Sequence, residues 1–156
     1  MNKEEISQLI YFLYKSIKEN DNVNMNKAEE VLKNLCSPDQ DTYLLVGEVL
    51  ASIIFDSKTE NNLRMLSVII LSRCNILRTD VIISQFIDCL CKDESLNEAS
   101  SLLKQLCSTI AEVIEPSHVE QILNYQPNYS TLFILYFYLQ EKEKKEEEIK
   151  SSTELF

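Results

Sequence analysis

Apolar residues recur along this chain at separations of three and four, the spacing that gathers side chains on one side of an α-helix. Ile6, Leu9, Ile10, Leu13 and Ile17 form the first such face, and Ala28, Val31, Leu32 and Leu35 form the second. Leu44, Leu45, Val49 and Ile53 predict a third helix, and Leu63, Leu66, Ile70 and Cys74 a fourth. Val81, Ile82, Phe86 and Leu90 mark the fifth; Leu102, Leu103, Leu106, Ile110 and Val113 mark the sixth. A last long helix carries Leu132, Leu135, Tyr136 and Leu139, and over 132–139 it is apolar on all sides. Such a helix needs cover on several sides. It is either the centre of the domain or a face that a further unit covers, which makes the chain the start of a longer array.

Helix-start signals punctuate these faces. Asn2 precedes Glu5, Ser57 precedes Glu60, and Ser95 precedes Glu98. Ser37-Pro38-Asp39-Gln40 combines a cap, a proline for the first turn and a glutamine. Thr79-Asp80 opens another helix, and Pro116-Ser117 and Pro127-Asn128 open the last two. Each supplies an acceptor for amides that lack a helical partner. Connections this short make successive helices antiparallel neighbours.

Taken in pairs, the first helices start near positions 2, 37, 79 and 117. That is a period of roughly 40 residues, the size of a HEAT or armadillo unit. One pair cannot bury its apolar face alone, and stacking buries it. The predicted fold is therefore all-α, a right-handed α-solenoid of about three and a half antiparallel helix pairs. Residues 1–140 form the HEAT-like domain. Residues 141–156 form a charged helical extension that frays by Ser151-Ser152.

Composition supports helices over sheets. The 156 residues include one glycine, Gly47, and three prolines, too few turn residues for many strands. The net charge of −10 repels nucleic-acid phosphates and favours a basic protein partner, or simply keeps the chain soluble. Cys36, Cys74, Cys89, Cys91 and Cys107 make an odd count without disulfide-framework spacing. They read as free thiols in a reducing compartment, cytoplasm or nucleus. Met1 is followed by Asn-Lys-Glu-Glu rather than a leader, and no apolar run approaches the length of a membrane span.

Candidate chemistry is sparse. Gly47 stands alone, so no glycine-rich phosphate loop is present. His118, the only histidine, reads as a first-turn surface residue. Cys89 and Cys91 lie two apart, which on a helix points them to different sides, a core thiol beside a partly exposed one. Glu4-Glu5 and Glu29-Glu30 read as solvated faces. No catalytic residue, cofactor or metal is assigned, and the chain reads as a binding protein, not an enzyme.

Several segments resemble a known family. Leu9-Ile10-Tyr11-Phe12-Leu13, a polar loop, and then Asn26-Lys27-Ala28-Glu29-Glu30-Val31-Leu32-Lys33-Asn34-Leu35 resemble the first repeat of the importin-β (karyopherin-β) superfamily, with its AExxLxxL second helix. Leu63-Arg64-Met65-Leu66-Ser67-Val68-Ile69-Ile70-Leu71-Ser72-Arg73 is similar to the family's R-x-x-A-x-x-x-L helix, with Ser67 in place of the small alanine. Segments 102–113, 119–123 and 131–139, followed by Gln140-Glu141, resemble the transportin-SR branch. The resemblance spans 6–141, whereas family receptors are several times longer.

This resemblance implies a nuclear transport receptor. Its first repeats would bind the GTP form of the small GTPase Ran on a concave face and couple that to binding and release of basic protein cargo. The candidate contacts are Lys27, Glu30, Asn34, Asn61, Arg64, Glu98, Ser101 and Gln105, placed on solvent faces. Ala28, Leu32, Leu66 and Leu71 carry the family pattern as packing residues. A monomer in cytoplasm and nucleus is expected. The alternative is another HEAT/ARM-like or VHS-like interaction scaffold, unrelated to Ran.

Overall fold

The structure, a computed structural model, describes residues 1–37, 41–92, 96 and 100–154. Among them are eight α-helices and no strand. They are α1 Lys3–Lys18, α2 Asn22–Leu35, α3 Thr42–Ile54, α4 Asn61–Arg73, α5 Asp80–Lys92, α6 Ser100–Ala111, α7 Pro116–Leu123 and α8 Tyr129–Glu154. The chain forms two compact units, Met1–Phe86 and Ile87–Phe156, so the boundary falls inside α5.

In the first unit α1 packs against α2, α3 and α4, and α3 packs against α4 and touches α2. α3 is therefore enclosed on more than one side, and it buries Val46, Gly47, Val49, Leu50, Ile53 and Ile54. Leu44, expected in that face, is exposed. α1 buries Ile6, Ile10 and Leu13 as the spacing predicts, but the strip then passes to Ser16 and leaves Ile17 exposed. The Ser16 hydroxyl donates to the Phe12 carbonyl at 2.8 Å, which makes its burial tolerable.

With one glycine available, asparagine makes the sharp turns. Asn20 closes α1 at φ 56° and Asn75 closes α4 at φ 51°, both left-handed. After α1 the Asp21 amide donates to the Ser16 carbonyl and the Asn20 amide to that of Ile17. After α4 the Ile76 amide donates to Leu71 and the Asn75 amide to Ser72. Both are Schellman closures, and asparagine is the residue after glycine that best tolerates this backbone. The chain then turns back at once. Asp21 accepts the Asn24 amide at 3.1 Å to cap α2, and Ile76 enters the core fully buried.

The start signals divide. Asn2 and Glu5 form a reciprocal capping box on α1. The Thr79 hydroxyl accepts the Ile82 amide at the start of α5. Asn128 and Thr131 exchange bonds at the start of α8. Two expected caps are displaced: α4 begins after Glu60 rather than at Ser57, and α3 begins at Thr42 after Asp41. The expected starts at Pro38-Asp39-Gln40 and at Ser95 lie outside the described residues.

In the second unit α6 lies along α8, and α7 also meets α8. α6 contributes Leu102, Leu103, Leu106, Cys107 and Ile110 to the core. α8 contributes a narrower face than expected. It buries Ser130, Thr131 and Ile134, while Leu132, Tyr136 and Leu139 are exposed. α8 continues as helix through the charge run and past Ser151-Ser152 to Glu154, with Glu141 and Lys144 paired one turn apart. Among the described residues no helix is long and apolar enough to cross a membrane.

Candidate protein-binding surface

In the first unit the second helices of two successive pairs, α2 and α4, flank a groove floored by Leu66, Ile69 and Ile70. Ile69 is 39% exposed, so the floor reaches solvent. Glu29 and Lys33 line one side from α2, one helical turn apart, and Arg73 at the end of α4 and Cys74 just after it line the other. Arg73 Nη1 meets Glu29 Oε1 at 3.2 Å across the groove. Both partners are solvated, so the pair sets orientation more than stability.

One end of this groove is tied by Arg78, which follows α4. Its Nη2 donates to the Cys36 carbonyl, at the end of α2, and to the Cys74 carbonyl, at the end of α4, at 3.4 Å. Its guanidinium also lies over the Tyr43 ring, 4.5 Å from the centroid. One cation thus satisfies orphan carbonyls of two helix C-termini, where positive charge is favoured. A hydrogen bond from Cys74, then burial, pushes the Cys36 thiol up. The same bond, helped by the positive charges of Lys33 and Arg73, holds the Cys74 thiol below its ordinary value against burial and Glu29.

Cys91 and Cys107 are ordinary core thiols. Burial pushes Cys91 up to about 11 and Cys107 up to about 12. Cys91 is buried and Cys89 partly exposed, the split expected from their spacing. Among the described residues no group of three His, Cys, Asp or Glu side chains converges to hold a metal.

The candidate contact residues are placed as follows. Lys27, Glu30 and Asn34 are exposed along one stripe of α2, beside the stripe that lines the groove. Asn61 is exposed at the first residue of α4, and Ser101 and Gln105 are exposed on α6 in the second unit. Glu98 lies outside the described residues. Arg64 is a correction: only 3% exposed, it points inward, and its Nε donates to the Ile54 carbonyl at 2.7 Å. His118 is another. It is buried, and its Nδ1 accepts the Glu115 amide at 3.0 Å in the first turn of α7, so it is no surface residue.

Sequence reasoning passed over Lys33, Arg73 and Cys74 as groove residues, read Glu29 only as part of a solvated face, and missed the Arg78 tie to the Cys36 and Cys74 carbonyls. Cys36 and Cys74 each directly follow the last residue of a second helix, so their carbonyls are the ones that lack helical donors. Comparison with models of protein families finds no match. Comparison with curated proteins and with solved structures likewise finds none.

Proposed function

We propose that this chain is a protein-binding module built from stacked helix pairs, and not an enzyme. In this reading it is the amino-terminal, HEAT-like part of an importin-β-like receptor, continuing as a right-handed solenoid of about three and a half pairs. The observation that carries it is the groove between α2 and α4. Second helices of neighbouring pairs share a solvent face there, with an apolar floor and a charged rim. That combination suits a protein partner: the floor supplies burial, and the rim supplies register and on-rate. The net charge of −10 adds attraction for basic cargo.

The partner that the sequence resemblance names is Ran in its GTP form. Binding along Lys27, Glu30, Asn34 and Asn61 of the first unit would select one arrangement of its helix pairs and so alter the affinity for cargo. The protein would act as a monomer shuttling between cytoplasm and nucleus.

The test is binding of the purified chain to Ran loaded with a GTP analogue and, separately, with GDP. Selective capture of the GTP form, weakened roughly tenfold (about 1.4 kcal/mol) by Lys27→Glu, supports the assignment. Equal binding of both forms, or of neither, rejects Ran as the partner. Arg64 is unsuitable for this test because its loss would damage the fold.

A further inference from the structure

The two sides of α8 differ. Ser130, Thr131 and Ile134 are buried on the side that meets α6 and α7. On the opposite side Tyr129, Leu132, Tyr136 and Leu139 are 57–63% exposed. Their separations of three, four and three set them in one line along the helix, the spacing of a coiled-coil seam. Four side chains of this size, each more than half open, form roughly 400–500 Å² of mainly apolar surface, the size of patch that marks an interaction site. The line does not stop at Leu139. Its next positions are Glu143 and Glu146, with Glu147 beside them and Lys150 beyond, all exposed. We propose that this outer face of α8 docks one amphipathic helix of a protein partner, apolar at heptad spacing over its first half and basic over its second.

The occupant follows from area and charge. A standard interface takes about 800 Å² from each partner, so the apolar patch needs the acidic continuation beside it. Lys or Arg in the second half of the partner helix pairs with Glu143, Glu146 and Glu147. Cations also suit the C-terminal half of a helix, so the partner helix runs parallel to α8. The apolar half supplies burial, and the charged half fixes register and direction. A second copy of the chain fits poorly. Its own α8, laid in register, would set these acids against one another, and each copy carries a net charge of −10. Anionic lipid headgroups would be repelled by the same three glutamates. This face lies in the second unit, so the inference rests neither on the groove of the first nor on Ran.

The probe is a fluorescein-labelled three-heptad peptide with leucine at the first and fourth positions of its first two heptads and arginine in its third. A control peptide carries glutamate in place of arginine. Anisotropy at physiological salt measures the binding of each to the full chain. The expected result is a clear preference for the arginine peptide. Leu132→Ser with Leu139→Ser should weaken its binding roughly tenfold or more. Glu143→Arg with Glu146→Arg should reverse the preference. Glu19→Arg with Glu112→Arg, an equal change of charge at other exposed positions, should leave the order of the two peptides unchanged. Equal binding of both peptides, binding of neither, or a reversal produced as well by the Glu19 and Glu112 changes would overturn the proposal. So would a dimer in sedimentation that Leu132→Ser with Leu139→Ser dissociates, which would give the face to a second copy. All the replaced side chains are exposed, so helical circular dichroism should be retained. If the leucine variant loses it, the charge reversal decides alone.

Discussion

Arg64 Nε donates a 2.7 Å hydrogen bond to the backbone carbonyl of Ile54, the last residue of α3. The carbonyls of a last helical turn have no helical donor. A buried cation there satisfies one of them and suits the negative end of the helix dipole. Arg64 also donates to Asn61 Oδ1 at 3.4 Å, so it ties the start of α4 to the end of α3. Arg64→Leu should therefore destabilise the first unit by about 2–3 kcal/mol. Arg64→Lys should recover little of that, because an ammonium lacks the fork that reaches both partners. Urea unfolding followed by circular dichroism measures both. Wild-type stability in Arg64→Leu would mean the contact contributes nothing.

Asn128 is joined to two helices at once. Its Oδ1 accepts the Thr131 amide at 2.8 Å, capping α8, and its Nδ2 donates to the Cys91 carbonyl at 3.0 Å, in α5. Asn128→Asp keeps the cap and loses the donor; Asn128→Ala loses both. The expected order of stability is Asn, then Asp, then Ala, with Ala lower than wild type by about 1–2 kcal/mol. Equal thermal midpoints for Asp and Ala would show that the cap itself is worthless here.

Much of this fold is legible in the sequence. The apolar strips at 6, 10 and 13 and at 102, 103, 106 and 110 are buried as their periodicity demands. Asn2, Thr79 and Asn128 cap where local chemistry places them. What fails is information that only tertiary neighbours supply. α8 looks apolar on all sides, and which third of it is covered depends on where α6 and α7 lie. Arg64 looks like a surface cation, and its burial depends on a carbonyl ten residues back. The Arg78 tie to Cys36 likewise joins segments far apart in the chain.

Acid should weaken the second unit through Asp88. The Tyr125 hydroxyl donates to its Oδ1 at 2.5 Å, and Lys92 pairs with it at 2.9 Å. The Tyr125 bond first, and Lys92 second, hold the Asp88 carboxyl below its ordinary value. A depressed carboxylate contributes its stability above the unfolded value, about pH 4. That contribution is lost as the pH falls through the lower folded value. Tyr125 is shifted the other way, upward, chiefly by Asp88. Its share is present below about pH 10 and is lost as the pH rises through its folded value. Tyr125→Phe should reduce stability at neutral pH and flatten the acid side of the profile. Urea midpoints at about pH 3 and about pH 7 measure this. An equal drop at both pH values would remove Asp88 as the cause. Because Asp88 is well exposed, added salt should shrink the Lys92 part.

Gly47 is the chain's only glycine, and its position in α3 does not require one. Its φ is not positive. A Cβ built there would lie 3.4 Å from Ile76 Cγ2 and 3.5 Å from Ile82 Cγ2, ordinary van der Waals contact. Glycine inside a helix costs about 1 kcal/mol relative to alanine, mostly in unfolded-chain entropy. Gly47→Ala should thus stabilise the first unit by about 0.5–1 kcal/mol, seen as a higher thermal midpoint. Gly47→Val should reverse the sign, since two further methyl groups would have to displace Ile76 or Ile82 from a buried position. A lower midpoint for Gly47→Ala would mean that α3 and the Ile76 side chain cannot yield even a few tenths of an ångström, and that glycine holds this place for close packing alone.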